Sequence, residues 1–267
     1  MLKDITIGQY FPGDSLLHRL DARFKIVMTL LYIIMLFMGN ALYSFSFGMV
    51  YCITALILSG LPLKLFWKSL KPLIPILMIT AVLDLLFMTD GTVYFQVGFL
   101  KITEDGVFTA VRMVVRIIFL IIGSSLLTYT TSPIQLTDAI ERLLSPLKKL
   151  HFPVHAFAMM MTIALRFIPT LMEETDKILA AQKARGASFD TGKLKDKAKA
   201  LVPVLIPLFV SAFRRAEELA TAMECRCYRG DVGRTKMKQM HAAVRDWLAL
   251  SVTLVMLGGA IAVCILF

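Results

Sequence analysis

Apolar positions along the chain gather into long, nearly unbroken blocks. Phe24–Met38 (FKIVMTLLYIIMLFM) runs into Ala41–Leu58 (ALYSFSFGMVYCITALIL) across the short polar break Gly39-Asn40. Two spans joined by a tight turn fit that combined length better than one long helix, because a helix needs about 20 residues to cross the hydrocarbon core. Further blocks cover Leu73–Met88, Val107–Leu127 and Trp247–Phe267. The pattern predicts an all-α polytopic membrane protein with about five transmembrane helices.

Composition agrees. Of 267 residues 57% are apolar and 18% charged, outside the usual range of a soluble domain. The amino-terminal segment is long and mixed in charge before the first apolar block, and no small-residue cleavage site follows it, so a signal peptide is not expected. Cys52, Cys225, Cys227 and Cys264 lie in spans or in a basic region, and Cys225-Arg226-Cys227 lacks the spacing and second pair of a metal site. No metal is expected.

Charge orients the spans. Lys3, Arg19, Arg23 and Lys25 precede the first, and Lys64, Lys68 and Lys71 separate the second from the third. The loop between spans three and four carries Asp90, Glu104 and Asp105 against Lys101. With the amino terminus in the cytoplasm every basic segment falls inside, and the carboxyl terminus lies outside. The expected division is residues 1–127 with four spans, 128–243 as a cytoplasmic domain, and 244–267 as span five.

The middle region holds 18 Lys or Arg against 11 Asp or Glu, much of the net +10. Ser132-Pro133 reads as a helix start, since the hydroxyl can cap free amides and proline suits the first turn. The stretch VHAFAMMMTIALRFIPTL, broken by His155 and Arg166, is long enough to be a sixth span. A span there would carry KARGASFDTGKLKDKAKA outside, so a buried or surface helix is favoured. Two amphipathic arms follow. The first has Ile168, Leu171, Met172, Ile178 and Leu179 as its stripe, with Glu173 four residues before Lys177. In the second, Leu205, Leu208, Phe209, Ala212, Ala216, Leu219 and Met223 recur at threes and fours, and Pro203 and Pro207 are expected to bend or delay its start.

Each arm ends on an arginine between small residues: Ala184-Arg185-Gly186 and Cys225-Arg226-Cys227. Taken alone, Arg185 is accounted for as a solvated cation at a helix terminus closed by glycine. The second occurrence supports another reading. An arginine flanked by small side chains can enter a groove and hold a carboxylate or backbone oxygens in its planar fork. Two such tips suit two similar surfaces.

QKARGAS and MECRCYRG together resemble the paired Ala-Arg-Gly signature of the transmembrane coupling subunit of energy-coupling-factor (ECF) transporters, the ABC-type vitamin and transition-metal importers of prokaryotes. LDARFK at 20–25 and the stretch from Thr131 to Glu174 are similar to that family too. Ala22 stands where the opening motif usually has proline, and Cys225 and Cys227 replace alanine and glycine. The resemblance implies a non-catalytic, multi-pass subunit of a prokaryotic cell membrane. Its implied partners are two ATPase subunits, A and A′, which bind ATP and Mg, a small membrane substrate-binding S component, and membrane lipids, with no nucleic acid. Ala184, Arg185, Gly186, Cys225, Arg226 and Cys227 would dock the ATPases. Leu205, Phe209, Ala212 and Leu219 would face the S component, and no cofactor would bind this chain directly.

Other residues invite chemistry without assembling it. Asp84 inside span three is the candidate for an intramembrane polar contact. Arg112 and Arg116, four apart, either snorkel to headgroups or neutralise Asp84 or Asp90. Met159, Met160 and Met161 suit adaptable packing, and His18, His151, His155 and His241 are scattered. Neither a Walker sequence nor HExxH is present. The competing classes are a membrane enzyme acting on lipid or prenyl substrates, which needs clustered acids or a nucleophile with its base, and a self-contained permease.

Overall fold

A computed structural model describes residues 10–38, 42–87, 93–97, 100–150, 153–187, 194–230 and 241–266. The Gly39-Asn40 turn, Asp90, His151 and the basic run from Gly233 to Met240 lie outside these residues. The described helices are α1 (Ala22–Met38), α2 (Leu42–Ser59), α3 (Leu63–Leu70), α4 (Ile74–Phe87), α5 (Glu104–Thr130), α6 (Pro133–Leu143), α7 (Val154–Ala184), α8 (Leu194–Cys225) and α9 (Val244–Leu266). A short 3-10 turn joins α3 to α4, and the antiparallel strands β1 (Val93–Val97) and β2 (Leu100–Thr103) form a hairpin ahead of α5. Periodicity had not indicated the hairpin, whose two strands are too short to announce themselves among apolar spans.

Four helical stretches are long and apolar enough to cross a membrane: Leu63–Leu85, Gly106–Thr130, Val154–Ala184 and Val244–Leu266. Phe45–Ser59 is a shorter apolar helix. The third expected span therefore starts about ten residues early, because α3 runs through the 3-10 turn into α4.

The chain divides into two compact units, one containing Thr137–Gln239 and the other Gly8–Leu136 with Met240–Phe267. In the second unit α1, α2, α5 and α9 pack together, α3 and α4 flank α5, and Tyr32, Met35, Leu36, Phe45, Cys52 and Ala260 form the core. The Tyr32 hydroxyl donates to the Phe119 carbonyl at 2.8 Å, and its ring stacks on Tyr51. The helix starts are capped as their sequences dictate. Thr103 Oγ1 accepts from Gly106 N, while Ser132 and Gln135 exchange side chain-to-backbone bonds around Pro133.

The other unit is built around α7 and α8. VHAFAMMMTIALRFIPTL and the first arm, expected as separate helices, are one continuous α7 that passes through Pro169. In the same way α8 starts at Leu194 and passes through both Pro203 and Pro207. Proline at 207 leaves the carbonyl of residue 203 without its helical donor. That carbonyl accepts instead from Gln182 Nε2 of α7, at 3.3 Å, so tertiary packing offsets the local preference for a break.

Candidate functional site

Helices α7 and α8 form an antiparallel pair. Gln182 meets Pro203, and further along Glu174 meets Ser211 and Arg215. Arg215 Nη2 donates to Glu174 Oε2 at 2.9 Å, and the Ser211 hydroxyl donates to the other carboxylate oxygen. Because partner numbers rise on one helix as they fall on the other, the two carboxyl-terminal ends point in opposite directions. Arg185 and Arg226 therefore lie at opposite ends of the pair, each eleven residues beyond the Glu174–Arg215 contact. Eleven residues of helix cover about 16 Å, which sets the tips on the order of 30 Å apart along the pair.

Both tips have one backbone geometry. At the first, Ala187 N bonds to Gln182 O and Gly186 N to Lys183 O, with Gly186 at φ +91°. At the second, Tyr228 N bonds to Met223 O and Cys227 N to Glu224 O, with Cys227 at φ +56°. Each is a Schellman motif, and each arginine occupies the C-cap position before the left-handed residue. The second arm lacks a glycine directly after its arginine, and Cys227 adopts the left-handed conformation in its place. Ala184, Arg185, Gly186, Cys225, Arg226 and Cys227 are all exposed, and a cation at each end complements the helix dipole.

The four apolar residues expected to form one coupling face divide between two. Ala212 and Leu219 are half-buried on the stripe that includes Val204, Leu208, Ser211 and Arg215 against α7. Leu205 and Phe209 are exposed with Ile206, Val210 and Phe213, the last 72% exposed. The outer face of α8 is thus apolar over about three turns ahead of a charged end, although sequence spacing had mixed its two sides.

Asp84 is half-buried on α4 and, among the described residues, is joined to neither Arg112 nor Arg116. Arg112 lies over the Phe108 ring at 4.7 Å. Arg116 is buried rather than snorkelling, with Phe37 and Phe45 within 6 Å of its guanidinium carbon. Met160 and Met161 are exposed, and among the described residues no group of three or more His, Cys, Asp or Glu is gathered as a metal site.

Sequence reasoning missed a polar knot in the bundle unit. Asp21 caps α1 by accepting from Arg23 N and grips the Arg23 guanidinium at 2.6 Å. Asp246, 2% exposed, accepts from Asp21 N and Ala243 N, while Lys25 Nζ donates to the Thr130 carbonyl. These bonds fasten the starts of α1 and α9 and the end of α5. The available signal was an aspartate just ahead of the first apolar block and another directly before the last.

A bundle of apolar helices together with a charged, two-ended helical hairpin defines a multi-pass membrane protein that carries two exposed arginine tips. Comparison with known proteins makes this specific. The family described as CbiQ, cobalt transport protein, matches residues 13–238. The energy-coupling factor transporter transmembrane protein EcfT of Ruminiclostridium cellulolyticum is 52% identical over 255 residues, covering 96% of this chain and 95% of that protein. EcfT of Clostridium kluyveri is 53% identical over 258 residues (96% and 95%), and that of Bacillus subtilis 47% over 246 (92% and 93%). The chain belongs to this family of transmembrane coupling proteins of ECF-type transporters.

Proposed function

We propose that this chain, a non-catalytic transmembrane subunit, passes force from two ATPase subunits to a separate substrate-binding membrane protein through the α7–α8 pair. The observation that carries the proposal is the repeated tip: two exposed C-cap arginines with the same backbone geometry at opposite ends of one helical strut. Two related partners, A and A′, would each receive one arginine in a groove, and they would bind the ATP and Mg. A strut held at both ends transmits work only if the ATPases contact it differently in different nucleotide states. The outer apolar face of α8, with Leu205 and Phe209, would meet the small S component that selects the vitamin or metal.

This reading places residues 128–243 in the cytoplasm, with the amino terminus inside and the carboxyl terminus outside. Asp84 would serve as an intramembrane polar contact. Docking is tested by pull-down and reconstituted uptake with Arg185→Glu, Arg226→Glu and the double variant. Each single change should weaken ATPase association by roughly 2–5 kcal/mol if the contact is desolvated. Unchanged association and uptake in the double variant would rule the docking role out.

A further inference from the structure

Two polar levels bound the helical bundle, and contacts between helices fix where each lies. At one level Asp246 of α9 accepts from Asp21 N at the start of α1, and Lys25 Nζ donates to the carbonyl of Thr130, the last residue of α5. At the other, Cys264 Sγ of α9 donates to the carbonyl of Met38, the last residue of α1, at 3.6 Å. The guanidinium of Arg116 on α5 lies within 6 Å of the rings of Phe37, near the end of α1, and Phe45, near the start of α2.

These levels are close together. Twelve residues of α1 separate Lys25 from Phe37, and fourteen of α5 separate Arg116 from Thr130, which is about 18 and 21 Å of helix rise. The whole helices add little. α1 has 17 residues and α2 has 18, so each rises about 24–26 Å. A typical hydrocarbon core is about 30 Å thick, and tilting a helix only reduces the thickness it spans.

The two cations cannot make up the difference. Lys25 is 5% and Arg116 8% exposed, so packing holds both heads inside the bundle and denies them the outward reach of a snorkelling side chain. The shortfall is also local. Leu30, Ile34, Val50 and Ile53 of α1 and α2 are exposed and apolar, as lipid contact requires, yet Leu63–Leu85, Gly106–Thr130 and Val244–Leu266 of the same unit are each long enough to span. α5 runs twelve residues past Arg116 to Glu104. We infer that the α1–α2 face is fitted to a bilayer with a hydrocarbon core about 20–25 Å thick, and thins an ordinary membrane beside it.

The experiment uses the full-length chain reconstituted into phosphatidylcholine vesicles. Its two tryptophans are both exposed: Trp247 lies beside α1, its ring 5.2 Å from that of Phe24, and Trp67 is on α3. Trp67→Phe leaves Trp247 as the reporter, and Trp247→Phe leaves Trp67. The vesicles mix lipids with monounsaturated fourteen-carbon and twenty-two-carbon chains, and each lipid in turn is brominated to quench tryptophan fluorescence. The shorter lipid should quench Trp247 about twofold more than the longer one does, with weaker selection at Trp67. The unaltered protein gives a second reading, since its melting temperature should be several degrees higher in the shorter lipid alone than in the longer. Quenching of Trp247 by the longer lipid that equals that by the shorter, selection as strong at Trp67, or a higher melting temperature in the longer lipid would overturn the assignment.

Discussion

Glu174 and Arg215 form an ion pair at 2.9 Å, and each stands eleven residues before the arginine that ends its own helix. The hairpin thus has an approximate two-fold relation about this pair, with arms of equal length running to Arg185 and Arg226. Both side chains are partly exposed, so solvent screening leaves the ion pair a minor contributor to stability. It ties the two helices together midway between their arginine tips. Glu174→Ala and Arg215→Ala should leave melting temperature nearly unchanged yet lower uptake per ATP hydrolysed in proteoliposomes. The exchange Glu174→Arg with Arg215→Glu should recover part of the loss. Full coupling in both single variants would show that this tie bears no load.

The two caps respond oppositely to substitution. Gly186 sits at φ +91° and Cys227 at φ +56°, a region that costs a residue with a Cβ roughly 1–2 kcal/mol. Gly186→Ala should therefore fray the first tip, whereas Cys227→Gly should tighten the second by up to about 1 kcal/mol, less the entropy glycine adds to the unfolded chain. Hydrogen exchange at the cap amides of Ala187 and Tyr228 reads both effects. Faster exchange at Ala187 and slower exchange at Tyr228 are expected.

Much of this was legible in the sequence, for identifiable reasons. Three of the five apolar blocks coincide with helices long enough to cross a bilayer, while Phe24–Met38 and Ala41–Leu58 gave shorter ones and Val154–Ala184, expected as a buried or surface helix, is long and apolar enough to span. Arg185 and Arg226 stood out because their neighbours are small. The bounds of α7 and α8 were hidden because Pro169, Pro203 and Pro207 argue locally for breaks, and only a distant group such as Gln182 shows how a freed carbonyl is satisfied. The division of Leu205 and Phe209 from Ala212 and Leu219 was hidden for a related reason. Threes and fours define a stripe, but its inner edge depends on the partner helix. The bond between Asp21 and Asp246 joins positions 225 residues apart, and no local pattern could pair them.

Gly123 is required by Tyr32. A Cβ built at 123 would lie 2.2 Å from Tyr32 Cε1, closer than any real contact. Tyr32 is 2% exposed and anchored through its hydroxyl to the Phe119 carbonyl one turn away on α5. Gly123→Ala should cost about 1–3 kcal/mol through forced repacking. Tyr32→Leu, which also forfeits the hydroxyl bond, should destabilise alone but lessen the effect of Gly123→Ala when the two are combined. A thermal-melt double-mutant cycle measures that coupling, and strict additivity would show that the close approach is relieved elsewhere.

Asp246 uses both carboxylate oxygens. Oδ2 accepts from Ala243 N, three residues back, as the return half of a capping box, and Oδ1 accepts from Asp21 N at the start of α1. Asparagine preserves the shape but offers a single acceptor, so Asp246→Asn leaves one buried amide unpaired and should cost about 1–3 kcal/mol. The loss should be confined at first to the joint between α1 and α9. Amide exchange at Asp21 or Ala243, whichever loses its acceptor, should accelerate before any change at Tyr32 in the core. If Asp246→Asn melts as the unaltered protein does, with both amides still protected, water has replaced the missing oxygen and the joint is held by apolar packing such as the edge-on contact of Phe24 with Trp247.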